Sequence, residues 1–428
     1  MLNAKSLETH SERNKMESVE QMTLPGGLTV LVQPVSGVES ASFSFLLPGG
    51  SAALPDGCCG AAAVLNDWLF RGAGPYDSRR LVEELDGIGL HRQSSVSPEY
   101  LSYGGSLESE NLSRALELYA DILLRPRLEE DLFEPSRQLA RQELEALDDD
   151  PRQKVSVCLY ERFYPDPLGR PCVGKEEDLR QLTPSQTKIL KERLFAWSGA
   201  VLAAAGKIDT HAFLKHIERL FGEIPPSREC PPVLRAAAGG YQHFPNPGAQ
   251  VHIGFMTEVP PFDSPMYYSI MAACMVLGGG MSSRLFTEVR EKRGLCYAVG
   301  TRYHSLRSCA GIAGYAGTTP DKAEETLSVI LSEFRRLRNG ISEDELLRAK
   351  TGLKSTLIMQ NESTSARASR LAADWFYLKR IRPLEEIRQA IESLRIQSIQ
   401  EFLDGPYGRK FTFVSFGPQP LQTLQKKE

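Results

Sequence analysis

The stretch from Glu223 to Gln250 constrains this chain more than any other. It holds Pro225, Pro226, Pro231, Pro232, Pro245 and Pro247, together with Gly239 and Gly240. Each proline fixes φ and removes a backbone donor, so neither a helix nor a central strand can run through it. It reads as a linker. The residues on either side follow one order: strand, helix, strand pair, amphipathic helix, long helix, further helices and a late strand. The expectation is an α+β protein of two similar domains related by an internal repeat, each a mostly antiparallel sheet with helices packed on it. Its parts are a disordered tail over 1–21, an N-terminal domain over 22–222, the linker over 223–250 and a C-terminal domain over 251–428.

In the first half, a turn at Leu24 leads into a strand and Ala41–Leu47 forms a second. Gly57–Phe70 is an Ala-rich helix. Leu90–Ser97 and Tyr100–Leu107 pair as strands, and Ala200–Gly206 is a buried strand. Leu112, Ala115, Leu116, Tyr119 and Leu123 keep helical spacing over Leu112–Leu124. Helices are also expected over Ser78–Gly87, Pro135–Asp148, Lys154–Phe163, Pro184–Leu194 and Thr210–Phe221. After the linker come a strand from Val251, a helix over Ser264–Leu277, strands over Cys296–His304 and Ala310–Ala316, helices over Asp321–Leu337 and Ser342–Gln360, and a strand from Lys410.

A formal net charge of −4 provides no basic field for nucleic acid. No apolar run is long enough to span a membrane. The first residues are polar, carry Glu8, Glu12, Glu17 and Glu20, and lack an apolar signal core. The eight cysteines form no C-x-x-C pair and read as reduced thiols. Together these features lead us to expect a cytoplasmic protein.

Gly278 to Tyr297, GGGMSSRLFTEVREKRGLCY, carries the candidate chemistry. It reads as a Gly loop, an amphipathic helix with Ser282 or Ser283 as N-cap, a left-handed stop at Gly294, and a strand with Leu295, Tyr297 and Val299 on one face. Arg290 and Tyr297 fall on one side of the turn. Arg293 reads as a solvated surface charge. No Gly-Lys-Ser/Thr follows the glycines, so this is not a phosphate loop.

This string resembles the second half of the insulinase/pitrilysin family of zinc peptidases, in its shorter, mitochondrial-processing-peptidase-like members. The resemblance runs over about residues 22–420. Supporting strings are Ile88-Gly-Leu, Ile122-Leu-Leu-Arg-Pro-Arg and Ser363-Thr-Ser-Ala-Arg-Ala-Ser-Arg-Leu-Ala. In the family, H-x-x-E-H on a helix of the first half binds zinc and supplies the general base. Leu69-Phe70-Arg71-Gly72 and Gly60 anchor the comparison here. They put Ala63 and Asp67 at the two His positions and Asn66 at the Glu position. Glu143, 76 residues beyond Asp67, matches the family's distal Glu ligand. These are degenerate zinc-site positions, and no metal is expected in this chain; Asp67 and Glu143 read as acids on a cleft wall. His91, His211, His216, His252 and His304 offer no substitute site.

The resemblance implies a non-zinc subunit of a heteromeric peptidase. Arg290 and Tyr297 would contact an extended peptide and its oxyanion, in trans with a homologous zinc-bearing partner in a heterodimer. Zinc is expected in that partner, and the chain alone should not hydrolyse peptides. The other reading is a catalytically inert structural or peptide-holding homologue.

Overall fold

The computed structural model describes residues 18–227 and 231–425. Most of the expected tail and Cys230 lie outside them. In chain order the first half forms β1 (Glu20–Thr23), β2 (Thr29–Pro34), β3 (Ser40–Pro48), α1 (Ala61–Trp68), β4 (His91–Val96), β5 (Tyr100–Glu108), α2 (Phe133–Ala146), α3 (Pro151–Phe163) and β6 (Val201–Gly206). The second half forms β7 (Tyr241–Pro245), β8 (Val251–Val259), α4 (Tyr267–Gly278), β9 (Cys296–Ser305), β10 (Ala310–Thr318), α5 (Ala323–Arg338), α6 (Glu343–Glu362), α7 (Thr364–Leu378) and β11 (Phe411–Gly417).

Several helices begin and end on the predicted residues because their caps are written locally. Asp77 accepts from the Arg80 N–H, Asp209 accepts from the Ala212 N–H, and Thr183 with Gln186 closes a capping box.

The first sheet runs β1-β2-β6-β3-β5-β4 and the second β9-β10-β8-β11-β7. Every neighbouring pair is antiparallel except β2 with β6 and β7 with β11. With β1 set aside, the two orders are identical, β7 standing where β2 stands. The chain is therefore α+β with two mostly antiparallel sheets and an internal repeat, as expected.

Three expectations change. Glu20 and Gln21, assigned to the tail, pair with Val32 and Leu31 in β1. The expected linker contains β7, whose Tyr241 to Pro245 lie beside Phe413 to Gly417. β7 ends its sheet, and Pro245 is its last residue, so the missing donor costs no central pairing.

The third change is that the compact units are not the linear halves. The described residues within 1–144, 172–233 and 359–381 make one unit; those within 145–171, 234–358 and 382–428 make the other. Helix α3, from the first half, packs on β8 and β11 of the second sheet. A Cβ at Gly254 would fall 2.4 Å from Val155 Cγ1, so the missing side chain admits the helix. Helix α7, from the second half, packs on β3 and β6 of the first sheet. Its Leu371, Ala372 and Phe376 form one buried cluster with Leu31, Leu46, Val201 and Ala203. Thr364 and Ser42 share a buried hydroxyl hydrogen bond of 2.8 Å.

The opposite face of the first sheet carries the larger core, including Phe45, Leu65, Trp68 and Tyr119; that of the second sheet carries Phe255, Leu277, Leu327 and Phe334. Among the described residues no helix is long and apolar enough to cross a membrane, and the cysteines form no disulfide.

Candidate functional site

In the first unit, α1 buries Ala61, Ala62, Val64, Leu65 and Trp68. Ala63, Asn66 and Asp67, at spacings of three and one, lie on its other face and line a cavity of about 430 Å³. Glu143 of α2 and residues 93–96 of β4 line the same cavity, so the sequence-predicted positions are brought together. β4 ends its sheet and leaves one backbone edge unpaired within it.

The chemistry of these residues is that of hydrogen bonding. Asp67 is ion-paired with Arg71, and its Oδ2 accepts from the Ser136 hydroxyl at 2.6 Å. The Asn66 amide donates to Ser94 Oγ at 3.2 Å, while its carbonyl oxygen is buried without a partner. Glu143 is exposed as a residue, yet the cavity wall around its carboxyl pushes the pKa up, and the Asp67 charge adds to this.

A zinc ion of the kind the resemblance implies does not fit this set. Ala63 has no donor atom, Asn66 is a neutral amide that cannot serve as a base, and Asp67 is already engaged. Among the described residues, no three His, Cys, Asp or Glu side chains gather closely enough to hold a metal ion.

The second unit holds Arg290 and Tyr297. The expected helix between the glycines and β9 is a π-helical turn over Phe286–Glu291, in which the Lys292 N–H donates to the Thr287 carbonyl five residues back. The Leu295 N–H donates to the Val289 carbonyl, and Gly294, at φ 56°, ends the turn as expected. Ser283 does not cap the turn; its hydroxyl is buried without a partner.

The strand alternation also fails here. Cys296 pairs with Thr318 and Ala298 with Gly317, which leaves Tyr297 as the extra residue of a β-bulge. Leu295 is buried, while Tyr297 is 81% exposed. One extra residue in the helix and one in the strand together re-aim this pair.

The Arg290 guanidinium lies 4.8 Å from the Phe286 ring centroid and 5.7 Å from that of Tyr297. Neither Glu288 nor Glu291 pairs with it. Glu288 is held by Lys292 and Arg293, whose hydrogen bonds bring its carboxyl down to about 2, and Arg336 lies 3.7 Å away. Among the described residues nothing hydrogen-bonds the Arg290 guanidinium or the Tyr297 hydroxyl. Arg293 is not the free surface charge expected of it. Its Nη1 donates to both the carbonyl and the carboxylate of Glu288, so it braces the π turn.

At the start of this turn, Arg284 forms a two-pronged pair with Glu345 of α6, at 2.6 and 2.8 Å, and donates to the Gly340 carbonyl. Burial alone would raise the Glu345 carboxyl, but Arg284 and the Ser342 N–H outweigh it and hold it at about 2. A carboxylate depressed from about 4.3 stabilises the fold fully above that value and loses the contribution as pH falls toward 2. We expect Glu345→Gln to lower stability by roughly 1.5–3 kcal/mol at neutral pH. The gap between variant and wild type should narrow as pH falls from about 4 toward 2. Denaturant melts across pH 2–7 measure it; a pH-independent gap would refute the linkage.

Comparison with known proteins agrees with this architecture. The family profile described as "Insulinase (Peptidase family M16)" matches residues 29–176, and that described as "Peptidase M16 inactive domain" matches residues 191–353. The chain belongs to the insulinase family of peptidases, as a member whose zinc motif is absent.

It is 27% identical over 402 residues to an "Uncharacterized zinc protease" of Rickettsia felis, covering 93% of this chain and 97% of that protein. A similarly named protein of Bacillus subtilis is 23% identical over 384 residues, covering 89% and 94%. The solved structure of a peptidase M16 inactive domain from Pseudomonas fluorescens superposes with a TM-score of 0.85 at 21% identity, covering 95% of this chain and 99% of that one. A chain of complex III2 from Candida albicans does so with a TM-score of 0.83 at 18% identity, covering 96% and 99%. At those identities the structures speak for the fold.

Proposed function

We propose that this chain is the non-zinc subunit of a heteromeric insulinase-family peptidase, supplying Arg290 and Tyr297 to a peptide cleaved at a homologous, zinc-bearing partner. The observation that carries this reading is the pair itself. Neither polar head has a hydrogen-bond partner among the described residues, both are exposed, and two local irregularities of backbone are devoted to presenting them. A residue kept for packing has no need of that arrangement. In the closed complex, Tyr297 donates a hydrogen bond to the oxyanion that develops on the scissile carbonyl, and Arg290 holds the substrate backbone beside it.

The first unit supports a peptide-holding role. The unpaired edge of β4 borders a cavity of the size that small ligand groups fill, and an extended peptide adds naturally to such an edge. A second reading, an inert structural subunit, is favoured by one comparison, the same-fold chain within complex III2 of Candida albicans.

Co-purification with a homologue bearing H-x-x-E-H, followed by metal analysis after dialysis, separates the readings. The peptidase reading expects a stable pair burying on the order of 1,200 Å² or more, with zinc in the partner and none bound stoichiometrically to this chain alone. One tightly held zinc in the isolated chain, or a strict monomer with no homologous partner, refutes it.

A further inference from the structure

The second unit has its own cavity, of about 320 Å³, between α3 and strands β9 and β10. Arg152, Arg290 and Arg302 line it, with Tyr160, Tyr315 and Ser156. No Asp or Glu is among the residues lining it. Arg152 rests 5.3 Å over the Tyr315 ring, Arg302 5.8 Å over Tyr160, and Arg290 over Phe286 and Tyr297. None of the three forms an ion pair among the described residues.

A guanidinium seated on a ring face is held in place while its in-plane donors stay available. Arg302 donates from Nε and Nη2 to the Tyr160 hydroxyl and retains Nη1; Arg152 and Arg290 donate no side-chain hydrogen bond to any described residue. Asp150, at the start of α3, caps the helix by accepting from the Gln153 N–H and does not line the cavity. Like charges converging without a counter-ion repel one another, and an anion in the cavity removes that cost.

We infer that this cavity is a subsite for a carboxylate side chain of the bound peptide. The inference rests on the peptide-holding reading above and adds to it a preference for acidic residues. Arg152 and Arg302 then set specificity, apart from the Arg290–Tyr297 pair.

The test is binding of two fluorescently labelled extended peptides to the full-length chain by anisotropy, one carrying Glu and the other Gln at the same positions. We expect the Glu peptide to bind roughly tenfold more tightly at low ionic strength, with the advantage fading as salt is added. Arg152→Gln and Arg302→Gln should each erase most of the advantage of the Glu peptide over the Gln peptide, with the melting transition read alongside to show that each variant is folded. Equal binding of the two peptides overturns the carboxylate subsite alone, as does an advantage that survives both substitutions. Failure of either peptide to bind the wild-type chain overturns the peptide-holding reading, and this inference with it.

Discussion

Tyr297→Phe in the reconstituted two-chain peptidase is expected to lower kcat about 100- to 1,000-fold while assembly is unchanged. Tyr297 is 81% exposed and its hydroxyl holds no part of the fold, so its removal leaves the chain intact. The ring remains, and with it the surface against which Arg290 rests at 5.7 Å. What is lost is one donor whose bond strengthens as charge gathers on the substrate oxygen, which places the loss in kcat rather than KM. Arg290→Ala should differ by raising KM as well, because it takes away a substrate clamp and the cation stacked on Phe286 and Tyr297. Arg293→Ala is not a silent control, since Arg293 braces Glu288 across the π turn. Lys215→Ala serves better, on an exposed helix face in the other unit. Steady-state kinetics on the four complexes decide the matter. Wild-type turnover for Tyr297→Phe would show that the chain contributes no catalytic group, and the structural reading would stand in its place.

Phe376→Ala is expected to cost about 3–5 kcal/mol, the usual range for emptying a buried aromatic site. Phe376 is 1% exposed and meets Leu31, Leu46, Val201 and Ala203, with Tyr100 edge-on at 5.0 Å. Because α7 comes from the far end of the chain, the substitution should loosen β3 and β6 rather than the second sheet. Amide exchange resolved by peptide would show this as faster exchange over residues 40–48 and 201–206, with 251–259 unchanged. Uniform destabilisation of both sheets would contradict the assignment of α7 to the first unit.

Much of the candidate site was legible in the sequence because it is local. The family resemblance picked out Ala63, Asn66 and Asp67, whose spacing sets them on one helix face, and Gly294 marks its left-handed turn by lacking a side chain. What stayed hidden depends on registers between distant segments. The bulge at Tyr297 exists only by comparison with β10, so alternation along β9 predicted the wrong neighbour for Leu295. The π turn is a shift of one residue in a hydrogen-bond ladder that the apolar pattern of Leu285, Phe286 and Val289 does not report. The helix expected over Lys154–Phe163 and the further helices expected after Gln360 carried no sign of which sheet each would cover. β7 was obscured by its proline-rich surroundings, although the repeat itself called for a counterpart to β2.

The exchange of α3 and α7 has a consequence for how the chain is made. During synthesis β6 leaves the ribosome well before α7 exists; Ser42 meets Ser106 within its own sheet, but Thr364 comes only 322 residues further on. At about 5–20 residues per second, the interval between residues 206 and 378 lasts roughly 10–35 s. Through that time the nascent sheet shows Leu31, Leu46, Val201 and Ala203 with only Val19 and Tyr100 of its own half packed against them. A ribosome-bound chaperone has a defined patch and a defined window in which to act. A stop codon anywhere before α7 leaves that cluster without Leu371, Ala372 and Phe376, so the chain matures as a whole or not at all.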